Sequence, residues 1–160
     1  MEARSFEISV MATGDAEMIT LNVKIEDGQV KAMLTQLKER TQNMKPAFNL
    51  IGQIVRNSVI KNFMEGGRPE KWKPSKRAMK EGGQTLADTG RLRNSIKSKA
   101  FTNRAEVGTN VIYAAIHQFG GKAGRGKKVT IPARPFLIVQ DEDWTEINFA
   151  LTDYLMRNLK

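Results

Sequence analysis

Between Pro46 and Met64 the apolar residues recur at steps of three or four: Phe48, Ile51, Val55, Val59 and Phe63, with Leu50 and Ile54 widening the stripe. A stripe of that width on a 3.6-residue period faces a core. Residues 46–64 are therefore expected to be the main helix, against which the rest of the chain packs. Pro46 suits a first turn, where its missing N–H has no partner anyway. Gly66-Gly67 ends the helix, because glycine enters left-handed backbone without steric cost. Gly52 interrupts the stripe at a cost of about 1 kcal/mol relative to alanine, which predicts close approach of another backbone.

Before this helix, Phe6 to Val10 and Ile19 to Ile25 alternate apolar with polar residues, the period of two half-buried strands. Thr13-Gly14-Asp15 between them is turn chemistry, so a hairpin is expected. After Asp27-Gly28, Val30, Met33, Leu34 and Leu37 share one face of a helix of about a dozen residues. Beyond the main helix, Arg68 to Thr89 reads as irregular, with a short helical piece from Ser75 to Lys80 that Ser75 caps. Trp72, flanked by Lys71 and Lys73, is read as an aromatic anchor under a long loop rather than a platform for a nucleic-acid base. Leu92 and Ile96 stand one helical step apart behind Asp88 and Thr89, either of which can accept the first free amide protons. A hairpin follows over 97–109, with Thr102-Asn103-Arg104 as its turn. Near the far end, Asp143-Trp144-Thr145-Glu146 has capping-box spacing with Asp143 as N-cap, and Trp144, Ile147, Leu151, Tyr154 and Leu155 form a stripe, giving a helix over 143–158. Trp144 and Tyr154 are core residues on that reading, with a subunit interface as the alternative.

Tyr113 to Leu137 joins an apolar helical turn to a glycine-lysine loop and then to a strand bracketed by Pro132 and Pro135. Val111, Tyr113, Ala114, Ile116 and Phe119 form a compact segment able to bury an aromatic pair. Residues 121–128 hold four cations, three glycines and no carboxylate. Such a loop buries too little apolar surface to offset its ordering entropy, so it is expected to be mobile until a partner holds it. Pro132 and Pro135 fix φ and pin Arg134 between them and Phe136 directly after. The arrangement reads as a device for presenting residues.

HQFGG from His117 to Gly121, followed by the basic stretch and then IPARPFL from Ile131 to Leu137, resembles the virion morphogenesis or tail completion proteins of Mu-like phages and prophages. Matching pieces stand upstream in the same order: Phe63 with Gly67, Pro69, Trp72 and Pro74, then LADTGRLRNSI from Leu86 to Ile96, then Val107-Gly108-Thr109. The likeness runs from about Ile19 to Leu159; residues 1–18 lie outside it and add an N-terminal strand. It implies a structural virion protein acting in tail completion or head–tail joining near the neck, made in the host cytoplasm and carried in the virion. The partners implied are other phage head, neck or tail proteins and further copies of the chain, in a ring for which six subunits are favoured because phage tails are sixfold.

Composition sets independent bounds. A chain of 160 residues with 40% apolar content is read as one domain, 1–160, with a modest core. No segment reaches the length of a membrane span, and Glu2 and Arg4 precede no apolar signal core. Zero cysteines remove disulfides and thiolate chemistry, and one histidine, His117, leaves no zinc cluster. His117 would need an orienting carboxylate to act as a base, and no acid stands between Thr109 and Gln140. It is read as a buried or hinge-pinning residue bonded to backbone. No enzyme activity, cofactor, metal, small-molecule substrate or membrane partner is expected.

The net charge of +9 is unevenly spread: residues 1–30 carry six acids and two bases, residues 68–104 eleven bases and three acids, and residues 140–160 five acids and two bases. In a ring, the acidic end of one subunit could meet the basic middle of the next. Two function classes follow. As a ring subunit, the chain would contact neighbours through Lys122, Arg125, Lys127, Lys128, Arg134 and Phe136. As a nonspecific DNA-binding protein, it would hold the phosphate backbone, packaged DNA included, with Lys122, Arg125, Lys127 and Lys128. The expected architecture is α+β: an antiparallel sheet of about five strands, from the N-terminal hairpin, the 97–109 hairpin and a 129–139 strand, packed by the helices 46–64 and 143–158.

Overall fold

The computed structural model describes residues 5–10, 19–24 and 28–157, the first two segments as backbone. The chain divides into two compact units, 1–42 with 156–160 and 43–155. In the first unit β1 (Ser5–Val10) pairs antiparallel with β2 (Ile19–Lys24), Phe6 opposite Val23 and Ile8 opposite Leu21. The expected turn at Thr13-Gly14-Asp15 lies outside the described residues. Helix α1 spans Gly28–Gln42 and buries none of its residues. Met33 and Leu37 are half-buried, while Val30 and Leu34 are exposed.

The second unit is built around α2 (Lys45–Glu65), which carries Pro46 in its first turn and ends at Gly66 in left-handed backbone. Val59 and Phe63 are fully buried on its inner face. Phe63 is the centre of an aromatic cluster: Trp72 meets it edge-on at 5.6 Å between ring centroids, and Phe136 lies tilted at 5.1 Å. Offset and edge-on contacts of this kind add about 0.5–1.5 kcal/mol each beyond simple burial. Leu92, Ile96 and Ala114 complete the core. Trp72 is an anchor, as its setting in a long loop led one to expect, and its indole N–H donates to the Pro135 carbonyl at 3.1 Å.

Short elements surround this core. Helix α3 (Lys76–Glu81) is capped by Ser75, whose hydroxyl accepts from the Ala78 N–H at 3.1 Å. Helix α4 (Arg91–Asn94) follows Gly90; the Thr89 hydroxyl accepts from the Arg91 N–H, while Asp88 pairs with Arg77. Strands β3 (Lys97–Ala100) and β4 (Ala105–Gly108) form the expected hairpin, which packs on α2. Gly52 marks the crossing: a Cβ there would stand 3.2 Å from the Cβ of Ser98 and 3.7 Å from that of Ala105. The neighbours are thus small side chains of the hairpin, where backbone was expected. Helix α5 (Ala114–Phe119), strands β5 (Gly121–Ala123) and β6 (Val129–Ile131) and helix α6 (Asp141–Met156) complete the chain.

The α+β class holds, but the five-stranded sheet does not. Among the described residues the strands pair only within three separate two-stranded antiparallel hairpins. The 129–139 segment shows why. Only Val129–Ile131 pairs as a strand; from Pro132 onward two prolines remove ladder donors, the Arg134 N–H bonds to the His117 carbonyl, and backbone groups of Pro135, Phe136 and Leu137 bond to the side chains of Trp72, Asn62 and Gln118. The 121–128 stretch likewise differs from a structureless loop, since β5 and β6 pair in register, Lys122 opposite Thr130, across a tight turn at Arg125–Lys127.

Candidate functional site

The residues from His117 to Leu137 fold back on themselves. The Gln118 amide oxygen accepts from the Phe136 and Leu137 N–H groups, each at 3.0 Å, and its NH2 donates to the Leu137 carbonyl at 3.1 Å. One side chain thus does the work of a neighbouring strand. The His117 carbonyl accepts from the Arg134 N–H at 2.7 Å. Between these two contacts the chain turns at Gly120 (φ 73°), where a Cβ would lie 2.8 Å from the Ala133 nitrogen. Only glycine allows that approach.

The bracket turns its own contents inward. Phe136 is 0% exposed and Arg134 4% exposed. Arg134 donates through Nε to the Lys73 carbonyl at 2.8 Å and through Nη2 to the Pro74 carbonyl, tying the 68–75 loop to the bracket. Burial lowers its pKa, and the two carbonyls partner the guanidinium at Nε and Nη2. These two residues, expected at a partner contact, are braces of the interior. The residues turned outward are others: Ile112 is 98% exposed and Phe119 79% exposed. The aromatic pair expected to be buried in this segment is not. Tyr113 lies edge-on to His117 at 5.8 Å, and Phe119 faces out.

Lys122, Arg125, Lys127 and Lys128 stand together on the β5–β6 hairpin, all exposed. Among the described residues none of the four pairs with a carboxylate. The turn is held by the Lys127 N–H to the Gly124 carbonyl at 3.0 Å, with Gly126 at φ 70°. Four cations on one short hairpin repel one another, so the surface favours an anionic counterpart.

Helix α6 begins two residues earlier than its capping-box spacing predicts. Asp143 is the third residue of the helix, and its Oδ2 accepts from the Gln140 N–H at 2.7 Å, the reach-back half of a capping box. The same oxygen accepts from the Ser58 hydroxyl of α2. Arg68 completes the network, donating to the Ser58 hydroxyl at 2.6 Å and to Asn62 Oδ1 at 2.8 Å, and pairing with Glu142. Asn62 in turn donates to the Phe136 carbonyl at 2.9 Å. Nothing in the spacing of Ser58, Asn62 or Arg68 announced this network; the one local sign was two polar residues on the stripe side of α2. Ile147 is buried, but Trp144 is 55% exposed, so it is not the core residue expected. Phe149 is 74% exposed.

A small open cleft of about 280 Å³ lies between Tyr113, His117, Arg134, Arg91 and Asp88. His117 Nδ1 is buried and has no hydrogen-bond partner among the described residues, unlike the backbone-bonded residue expected. Burial, and secondarily the Arg134 charge, lower its pKa, so the imidazole is held neutral. Asp88, the carboxylate of this cleft, pairs with Arg77 at 3.5 Å and does not orient the imidazole. Among the described residues no cluster of three His, Cys, Asp or Glu could hold a metal ion, and no helix is long and apolar enough to cross a membrane.

Comparison with known proteins bears on the same segments. The model of the phage virion morphogenesis family matches residues 25–156. The chain is 43% identical over 141 residues to the Mu-like prophage FluMu G protein 2 of Haemophilus influenzae, covering 88% of this chain and 99% of that protein. No solved structure matches it. With the family's span running from before α1 to the end of α6, and a relative of near-equal length aligned across it, this chain belongs to the phage virion morphogenesis family.

Proposed function

We propose that this protein is a structural subunit that completes the phage tail or joins it to the head, working as a homo-oligomeric ring at the neck or tail end. The observation that carries the reading is an exposed surface: Ile112 and Phe119 project from a backbone braced by Gln118, Gly120 and Arg134, and the hairpin that follows Phe119 carries four cations that, among the described residues, pair with no carboxylate. Large exposed apolar side chains next to a single-signed charge patch mark contact surfaces. Membership in a virion morphogenesis family makes assembly partners their natural counterpart. Six subunits are favoured, by analogy with the sixfold tails of such phages.

Cryo-microscopy of virions, with light scattering of the purified protein over a range of concentrations, tests this reading. The expected result is a closed ring at the junction or tail end; a single copy on the particle, or none, would overturn it. Changing Lys122, Arg125, Lys127 and Lys128 together to alanine should leave the fold intact and stop particle completion. DNA affinity measured at two salt concentrations separates the other use of the hairpin. Four phosphate contacts would give a log–log salt slope of about −3 to −4. Normal completion with loss of such binding would favour nonspecific DNA contact instead.

A further inference from the structure

Two patches of the unit 43–155 are uncovered and chemically opposite. The first is an open apolar groove of about 530 Å³ between the end of β4 and α5, lined by Val111, Ala115 and Leu137, with Ile112 and Phe119 at its edge. From Phe119, at the edge of the groove, the chain passes through Gly120 directly into the cationic β5–β6 hairpin. The second patch is the outer face of α6. Residues 142, 146, 149 and 153 are spaced as i, i+4, i+7 and i+11, which places them in one stripe of a 3.6-residue helix. That stripe reads Glu142, Glu146, Phe149, Asp153 and turns away from the buried Asp143 and Ile147. Helix α6 holds five carboxylates and no lysine or arginine. Phe149 is an exposed aromatic in an acidic stripe.

We propose that the α6 face of one copy docks on the groove and hairpin of the next. Phe149 enters the groove beside Ile112 and Phe119, and Glu146 faces the cations of Lys122 to Lys128. The occupant is a second copy because the chain carries both complementary halves. Apolar anchor meets apolar groove, and acidic rim meets basic rim, the arrangement of charge that fixes register and partner choice across interfaces. The two halves are different surfaces, so the contact is head-to-tail, and its repetition closes a ring or extends a filament. This inference rests on the proposed ring, whose subunit contact it specifies.

The chain has no cysteine, which permits a direct test with the full-length protein. In the double variant Phe119→Cys with Phe149→Cys, oxidation at high concentration, and in assembled particles, should link copies into a ladder running beyond the dimer. Both side chains are exposed, so the substitutions should leave the melting curve near that of the parent. Linked dimers and nothing larger would overturn the head-to-tail arrangement. Oligomers or rings without any disulfide ladder would place the contact elsewhere and overturn the inference while leaving the ring reading standing. Failure of the parent protein to form a ring in particles would sink both. As an independent arm, Glu146→Arg should weaken self-association at least about ten-fold, and adding Arg125→Glu should restore much of it, as expected for charges that act across one interface. No rescue, with both variants folded, counts against the proposed charge register.

Discussion

Replacing Gln118 by alanine removes a side chain that stands in for a missing strand. Three backbone groups, the Phe136 and Leu137 N–H and the Leu137 carbonyl, lose their partners at once. Phe136 is fully buried, so water reaches its amide poorly. A buried polar group stripped of its partner costs about 1–3 kcal/mol, and the groups here share one site, so the summed loss should be roughly 3–5 kcal/mol. For a domain of this size each kcal/mol moves the thermal midpoint by about 2–4 °C, which gives a fall of about 6–20 °C. Urea unfolding followed by tryptophan fluorescence measures the same loss without extrapolation from heat, since Trp72 bonds the Pro135 carbonyl next to the affected amide. Gln118→Glu should fall between, because a carboxylate still accepts from both N–H groups while its second oxygen opposes the Leu137 carbonyl. An alanine variant within about 1 kcal/mol of the parent would refute the claim that this amide holds the bracket.

Asp143→Ala strands the Ser58 hydroxyl and the Gln140 N–H inside the α2–α6 contact, and the expected loss is about 3 kcal/mol, read from urea midpoints. Gly120→Ala must place a Cβ 2.8 Å from the Ala133 nitrogen in backbone of φ 73°, so soluble yield and melting temperature should drop well beyond those of Gly66→Ala, where φ is also positive but a Cβ meets nothing within 4 Å. His117, held neutral by burial and by Arg134, has a folded pKa below its unfolded value near 6.5. The unfolded chain then binds a proton that the folded chain does not, so stability is full above about pH 6.5 and declines as pH falls below it. His117→Asn should flatten that part of the midpoint-against-pH curve, and an unchanged slope would show that the imidazole is not the group responsible.

How far the sequence reached depended on the range of the signal. The α2 stripe, the Ser75 cap and the 97–109 hairpin are encoded within a few residues, and each formed as its local chemistry requires. The five-stranded sheet failed because joining hairpins requires pairing between edges far apart in sequence, and alternation of apolar residues does not specify which edges meet. The start of α6 moved because Asp143 is a good cap by type but is claimed by Ser58, 85 residues away, and serves Gln140 from the third helical position. Phe149 and Ile112 went unremarked for a related reason. An exposed apolar residue is defined by what fails to cover it, and a periodicity argument sees only the residues that share a stripe.

The residues by which the family likeness is recognised sort themselves by direction. Gln118, Gly120, Arg134 and Phe136 point inward or permit close backbone approach, and Trp72 and Pro135 meet through one hydrogen bond. They specify a frame. A frame of this kind fixes where Phe119 leaves the surface and where the β5–β6 hairpin starts, because Gly120 and Arg134 clamp the chain on either side of it. On the proposed function, partner choice belongs to the residues the frame carries outward, Ile112, Phe119 and the four cations, whose side chains make none of the bracket's hydrogen bonds. Variants of the frame should therefore lose folding and assembly together, whereas variants of the carried residues should lose assembly alone. That separation, measured by melting and by particle completion on the same set of proteins, distinguishes a presenting device from an ordinary loop.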